Sequence, residues 1–265
     1  MCLLMIAWQV HPQYRLVVAA NRDEYHERPA APLAKWPPPS QLIAGRDLRA
    51  GGTWLGIDRE RRFGVVTNFR ELQLPKPGAP SRGELIPAYL GASGNSGPRR
   101  AGEFLAALEP HAGRYSGFNL LLTDEDSLWY GSNRTTPFAR PLAPGVYGLS
   151  NELLDTPWPK LQRVRRGFES WLHGEQPAGA ASLFALLADR TQAQEVVPGH
   201  SGGLPPEWAR VLSAPFVVHP QYGTRCSTVV LLRPEGELYI AERRFDPAGS
   251  LAGESEFALH SGEWL

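Results

Sequence analysis

Cys2-Leu-Leu-Met-Ile-Ala-Trp-Gln-Val10, the turn His11-Pro-Gln-Tyr14, and Leu16-Val-Val-Ala-Ala20 running into Asn21-Arg-Asp-Glu24 are the stretch that decides the fold. Residues 2–10 are apolar at nearly every position, as in a strand covered on both faces. A short turn and a second β-branched run make a hairpin, whose second arm ends in a polar cluster. An antiparallel return of this length brings Arg22 or Asp23 back to the start of the chain. A cysteine at position 2 is thereby expected beside charged side chains.

Outward from this hairpin, strand groups alternate with helix groups. Pro29, Pro32 and the prolines at 37–39 mark an extended loop. Residues 51–56 (Gly-Gly-Thr-Trp-Leu-Gly) and 62–69 read as two short strands with a turn at 58–61. Ser81-Arg-Gly-Glu84 fits a capping box, so a helix is predicted after Ser81, with Pro87 limiting it. A Gly/Ser/Asn loop at 91–98 precedes a helix through Phe104, Leu105 and Leu108. Residues 117–123 and 127–132 form a hairpin pattern. Thr156 as N-cap and Pro157 as first residue open the clearest helix. Its Leu161, Val164, Phe168 and Trp171 recur at three and four, giving one apolar stripe. A further helix lies around Leu183, Leu186 and Leu187, and strands at 224–232 and 237–242 turn at Pro234-Glu-Gly236. Neighbouring strands separated by helix pairs favour a layered α+β architecture over an alternating parallel sheet. No compositional break divides the chain, so residues 1–265 read as one domain. The tetrapeptide His-Pro-Gln-Tyr occurs at 11–14 and again at 219–222, and both copies read as turns.

The composition is that of a globular protein, with 42% apolar and 20% charged residues. Lys+Arg and Asp+Glu are both 27, which gives no general drive toward nucleic acid or anionic membrane. Only three basic residues are lysines: Lys35, Lys76 and Lys160. Two cysteines are too few for a disulfide framework. The opening apolar run meets Gln9 and His11 well short of the roughly 20 residues of a membrane span, and no basic residue precedes it. A cytoplasmic protein without stable membrane insertion is expected. No phosphate-cradling Gly-rich loop, Gly-x-Ser-x-Gly elbow or His-Glu-x-x-His occurs, and the seven histidines are scattered. No metal site is expected.

Chemistry gathers on Cys2. Removal of Met1 leaves a thiol and a free α-amine on one residue, and an amine with an ordinary pKa of about 8 is a usable proton acceptor near neutrality. That is a nucleophile carrying its own base. Standing against this is the ordinary role of a cysteine as a small buried hydrophobe. Asp23 is placed to hold the amine and Arg22 to favour the thiolate, although successive strand residues face opposite sides. Asn68, in Thr67-Asn-Phe-Arg70, and Asn151, in Gly148-Leu-Ser-Asn151, are candidate oxyanion donors. Tyr222-Gly-Thr-Arg225 supplies a later arginine, and Cys226, facing away from Arg225 by alternation, reads as structural.

Seven segments taken in order carry a resemblance: Asn-Arg-Asp-Glu at 21–24, Gly-Gly-Thr-Trp-Leu-Gly at 51–56, Thr-Asn-x-Arg at 67–70, Ser-Arg-Gly at 81–83, Gly-Leu-Ser-Asn at 148–151, Pro-Trp-Pro-Lys at 157–160 and Tyr-Gly-Thr-Arg at 222–225. Together they resemble the NRDE family, also called the transport and Golgi organisation protein 2 family. The resemblance implies a four-layer αββα N-terminal-nucleophile-hydrolase-like sandwich, two antiparallel sheets between helical layers. It also implies kinship with choloylglycine hydrolases and penicillin V acylase, in which an N-terminal Cys attacks an amide. Carried over, Cys2 is the nucleophile, Asp23 lies beside its amine, Asn68 or Asn151 donates to the oxyanion, and Arg225 is the later arginine. Those relatives carry Arg three residues before the Asp. Here that position is Ala20, so Arg22 would have to substitute.

Two functions follow as expectations. One is an amidohydrolase cleaving a small linear amide or acyl compound without a cofactor. The other is a non-catalytic carrier in haem trafficking or in lipid or acyl-coenzyme A handling, with haem or an acyl chain as the small-molecule ligand. Under that second reading Trp36, Trp54 and Trp158 would line an apolar cleft, although large aromatics more often build cores.

Overall fold

The computed structural model describes residues 2–71, 78–91, 100–174, 179–194 and 205–264. Strands β1 (Cys2–Trp8) and β2 (Leu16–Tyr25) are followed by β3 (Ala30–Lys35), β4 (Leu42–Asp47), β5 (Leu55–Asp58) and β6 (Phe63–Asn68). Helices α1 (Leu85–Leu90) and α2 (Ala101–Leu108) lead to β7 (Phe118–Thr123), β8 (Leu128–Ser132), β9 (Ala139–Leu142) and β10 (Gly145–Leu149). Helices α3 (Pro159–Leu172), α4 (Ala180–Leu187) and α5 (Pro206–Val211) precede β11 (Tyr222–Leu232), β12 (Leu238–Phe245) and β13 (Leu251–Leu259). Two compact units result, residues 1–27 with 144–263, and residues 28–143 with Trp264. Each is built on one antiparallel sheet, so the α+β expectation of two antiparallel sheets with helices holds.

The first unit carries a six-stranded sheet in the order β10-β1-β2-β11-β12-β13. Leu3, Met5 and Ala7 of β1 and Val17 and Ala19 of β2 pack against Leu161, Val164 and Phe168 of α3 and Leu183 and Leu187 of α4. Leu4, Ile6 and Trp8 are equally buried, as a strand apolar on both faces requires. The second unit carries a seven-stranded sheet in the order β3-β4-β5-β6-β7-β8-β9. Leu85, Ile86 and Tyr89 of α1 and Phe104 and Leu105 of α2 cover one face of it, against Val66, Leu120 and Leu122.

Several boundaries differ from the sequence reading. The proline-marked segment contains a strand, β3, because Pro32 sits on a sheet edge and at a break in the β3–β4 register, where no ladder N–H is needed. Residues 51–54 are not strand. Gly52 lies so close to the Gly83 backbone that a Cβ would meet the Gly83 carbonyl oxygen at 2.3 Å, which ties this loop to the following turn. Ser81 caps as expected by accepting from Gly83 N, but Glu84 accepts from the Tyr115 hydroxyl and leaves the capping box incomplete. Helix α3 starts at Pro159 because the Thr156 hydroxyl donates to the Leu153 carbonyl and caps nothing. Most of the 91–98 loop lies outside the described residues. Both His-Pro-Gln-Tyr copies are turns built the same way. In each, the His Nδ1 accepts from the Gln backbone N–H two residues on, at 3.1 Å for His11 and 3.3 Å for His219.

Candidate functional site

The β1–β2 register pairs Cys2 with Arg22, and Leu3 with Asn21. Directly opposed residues of an antiparallel pair lie on one face with Cβ atoms roughly 4.5–5.5 Å apart. Arg22 is therefore the cross-strand neighbour of the half-buried, unoxidised Cys2. Asp23 takes the other face, the one shared with Ala19 and Asn21, on which α3 and α4 pack. The strand alternation that separates Arg22 from Asp23 thus divides their surroundings, thiol side for one and helix side for the other.

The backbone of Cys2 is held by the segment leaving β10. Cys2 N donates to Asn151 Oδ1 at 2.9 Å, and the Ser150 hydroxyl donates to the Cys2 carbonyl at 2.8 Å. Asn151 thus meets the nitrogen that becomes the α-amine if Met1 is lost, through its oxygen. The loop presenting it is closed on itself. Asp155 accepts from Gly148 N, returns its own N–H to the Gly148 carbonyl, and pairs with Arg165 of α3. Gly148 lets Leu161 pack directly on the strand backbone: a Cβ would lie 2.9–3.0 Å from three Leu161 side-chain atoms and push them aside. The Gly-Leu-Ser-Asn and Pro-Trp-Pro-Lys segments are the two ends of this one loop.

Asp23 is buried and accepts from the Thr224 hydroxyl at 2.7 Å, while its carbonyl accepts from the Tyr222 hydroxyl. Burial pushes its carboxyl up from the usual range, opposed first by the Lys160 ammonium, then by the amino terminus of the chain, the Thr224 hydrogen bond and Arg22. Arg22 is buried as well, 3.8 Å from Glu24. Strand β11 supplies the remaining groups through a bulge: Thr224 pairs with Asp23 and Cys226 with Arg22, leaving Arg225 as the extra residue. Arg225 and Cys226 together oppose Arg22, so the alternation expected to turn Cys226 away from Arg225 fails at this point. The Arg225 guanidinium donates to the Tyr25 and His26 carbonyls at 3.0 and 3.1 Å. Burial, then Glu242, drives the Cys226 thiol well above its ordinary value, which keeps it protonated and unreactive.

Of the six residues singled out from sequence, Cys2, Arg22, Asp23, Asn151 and Arg225 thus fall in the first unit around the start of β1. Asn68 ends β6 in the second unit, exposed and paired with Phe118.

The model of the family described as Transport and Golgi organisation 2 matches residues 1–247. The chain belongs to this family. Among Transport and Golgi organisation 2 relatives, the bovine homolog (Bos taurus) is 33% identical over 98% of this chain and all of its own length. The human homolog (Homo sapiens) is 31% identical over 92% of both chains, and the Drosophila melanogaster protein 27% over 94% and 95%. Among solved structures, a Caenorhabditis elegans N-acylethanolamine-hydrolyzing acid amidase ortholog aligns with a TM-score of 0.40 at 9% identity, over 88% of this chain and 93% of that one.

Sequence reasoning gave no role to Ser150 or Lys160, although both sit inside quoted motifs. Their signal was position alone, because the contacts they make cross roughly 140 residues of chain. Trp36 belongs to the helix-side core of the second unit and Trp158 packs on that of the first. Among the described residues, no group of three or more His, Cys, Asp or Glu side chains converges as metal ligands, and no helix is long and apolar enough to cross a membrane.

Proposed function

We propose that this member of the Transport and Golgi organisation 2 family is an amidohydrolase of the N-terminal-nucleophile type, acting on a small linear amide or acyl compound with Cys2 as nucleophile. One observation carries the reading: Cys2 N rests on Asn151 Oδ1 at 2.9 Å while the Cys2 side chain lies across from Arg22. With Met1 removed, the same nitrogen is an amine whose orientation Asn151 fixes, and the thiol proton passes to it. The Cys2 sulfur then attacks the substrate carbonyl, forming a C–S bond. The C–N bond breaks, and the departing nitrogen takes the proton from the α-amine. Water cleaves the thioester, releasing the carboxylic acid and restoring the thiol. Arg22 sets positive charge on the thiol face, and Asp23 sets negative charge behind it, at the amine end of β1. Arg225 is assigned to the substrate. No cofactor enters any step.

The test is to incubate protein lacking Met1 with a panel of short- and long-chain N-acyl amides and follow its intact mass. A transient acyl adduct on the Cys2 peptide, absent in Cys2→Ala, is the expected result. Turnover that survives Cys2→Ala overturns the proposal.

A second reading, a carrier of an acyl chain or haem, is favoured by one feature. A groove of about 550 Å³ opens beside α4, lined by Tyr14, Ala180, Leu231, Leu238, Tyr239 and Leu259. It lies five residues along β11 from Cys226, about 17 Å away at a strand rise of 3.3 Å. Saturable binding of a long-chain acyl-coenzyme A that Ala180→Trp blocks and Cys2→Ala leaves intact supports it. A Soret band on haem addition that depends on Cys2 places haem at the thiol instead.

A further inference from the structure

Lysine is rare in this chain, three residues among 27 basic ones, and one of the three is almost wholly buried. Lys160 lies in the first turn of α3 and is 2% exposed. A buried ammonium is costly unless a counter-charge accompanies it. Its neighbour Leu161 packs on Gly148 and into the core formed with Leu3 and Met5, which fixes this turn against the helix face of β1 and β10. Asp23 points to that same face. Strand parity places it with Ala19 and Asn21, and Asn21 donates to the Leu187 carbonyl of α4. Asp23 also stands one residue past the Cys2–Arg22 pair, at the open end of β1.

We infer that Lys160 is a positioning residue: it is the buried counter-ion of Asp23 and fixes that carboxylate as an anion behind the amine end of Cys2. The inference deepens the hydrolase reading and rests on it for its catalytic meaning, while the ion pair itself stands on the packing. The groups acting on the Asp23 carboxyl are Lys160 from α3, the amino terminus of the chain, the Thr224 hydroxyl from β11 and Arg22 on its own strand, while the Tyr222 hydroxyl holds the Asp23 backbone carbonyl. Of these three cations Lys160 acts most strongly, and it comes from the helix that packs on the face Asp23 takes, whereas strand parity turns Arg22 to the opposite face. The loop from Gly148 to Lys160 therefore grips the Cys2 end of β1 from both directions, Asn151 on the nitrogen and Lys160 on the carboxylate behind it.

The pH dependence follows with a definite sign. Burial raises Asp23 in the folded chain above its unfolded value, so folding favours the protonated form and stability falls as pH climbs through the interval between the two. Lys160 opposes that rise. Without it the folded value climbs further, and the fall in stability extends to higher pH. The experiment is urea denaturation of the full chain from pH 4 to 8 for wild type, Lys160→Met, Asp23→Asn and the double variant, with Cys2 alkylation rates measured on the same samples. The stability gap between wild type and Lys160→Met should widen steadily with pH, and should be flat when Asp23 is already Asn. Alkylation of Cys2 should slow severalfold in Lys160→Met and recover in part with Lys160→Arg. A gap independent of pH, or single-variant effects that simply add in the double, overturns the pairing. Coupled stability with a Cys2 that never labels, in wild type as in variant, keeps the pair and removes the nucleophile. The two ideas therefore fail separately. If Lys160→Met does not fold, the pH dependence of Asp23→Asn against wild type decides alone: the counter-ion account requires a shallower difference than an uncompensated buried carboxylate would give.

Discussion

Each unit buries a carboxylate beside a cation, and the two pairs differ in what surrounds them. In the second unit Asp58 and Arg62 close the β5–β6 turn. The Arg62 backbone N–H reaches Asp58 at 2.9 Å, its Nε reaches the other carboxylate oxygen at 2.7 Å, and a third donor meets the Leu90 carbonyl. The pair is four residues apart and bonded within one hairpin, and helix α1 completes it through the Leu90 carbonyl and the Tyr89 ring beneath Arg62. At the start of β1, by contrast, Arg22, Asp23, Asn151, Lys160 and Thr224 arrive from β2, the β10–α3 loop, α3 and β11 around the strand end that carries the half-buried Cys2, Arg22 on its thiol face and Asp23 on the other. A locally satisfied pair is explained by the turn it locks. Polar groups gathered from four distant segments onto the two faces of one strand end have no such local explanation, and the proposed chemistry at Cys2 supplies one.

The comparison can be broken by substitution, beginning where the effect should be largest. Arg62→Met strands Asp58 in an interior it cannot leave and should cost about 3–5 kcal/mol in urea denaturation. Its alkylation rate at Cys2 should match that of wild type, and a changed rate would mean that the two regions are not independent. Gly148→Ala forces Leu161 off its seat, at a cost of about 1–3 kcal/mol. Because the same loop carries Ser150 and Asn151, this variant should also slow Cys2 labelling, which Arg62→Met must not do. Asn151→Ala should cost only about 1 kcal/mol in stability, the ordinary worth of one hydrogen bond, yet reduce Cys2 reactivity more than Gly148→Ala does. The smallest effect belongs to Ser81→Ala, about 1 kcal/mol or less for a lost N-cap, with no change at Cys2.

The hairpin that opens the chain was legible because its apolar run, short turn and polar end demand an antiparallel return; a strand apolar on both faces left Arg22 or Asp23 opposite the chain start, and the pairing itself selected the register. That register brings Cys2 against Arg22. Neighbouring details were not legible. The bulge at Arg225 inserts one residue into a ladder and leaves no compositional mark, so parity failed for Cys226. Strand β13 was missed because Ala252, Gly253, Glu254, Ser255 and Glu256 have low strand propensity, and its pairing with β12 decides its conformation. Lys160 stood in a quoted motif without a role, since its partner Asp23 lies 137 positions earlier and only the packing of α3 joins them. The turn capped by Ser81 was half read. Its first hydrogen bond forms as expected, while Tyr115 takes the glutamate that the second would use.

The central claim is that Cys2 is an activated terminal thiol and Cys226 an inert one. Its most direct test is brief treatment of the purified protein with limiting iodoacetamide at neutral pH, followed by intact mass and peptide mapping. The account predicts a chain lacking Met1, rapid single labelling at Cys2, none at Cys226, and no label at all in Cys2→Ala. Retained Met1, or a Cys2 that labels no faster than a free cysteine in solution, would contradict it.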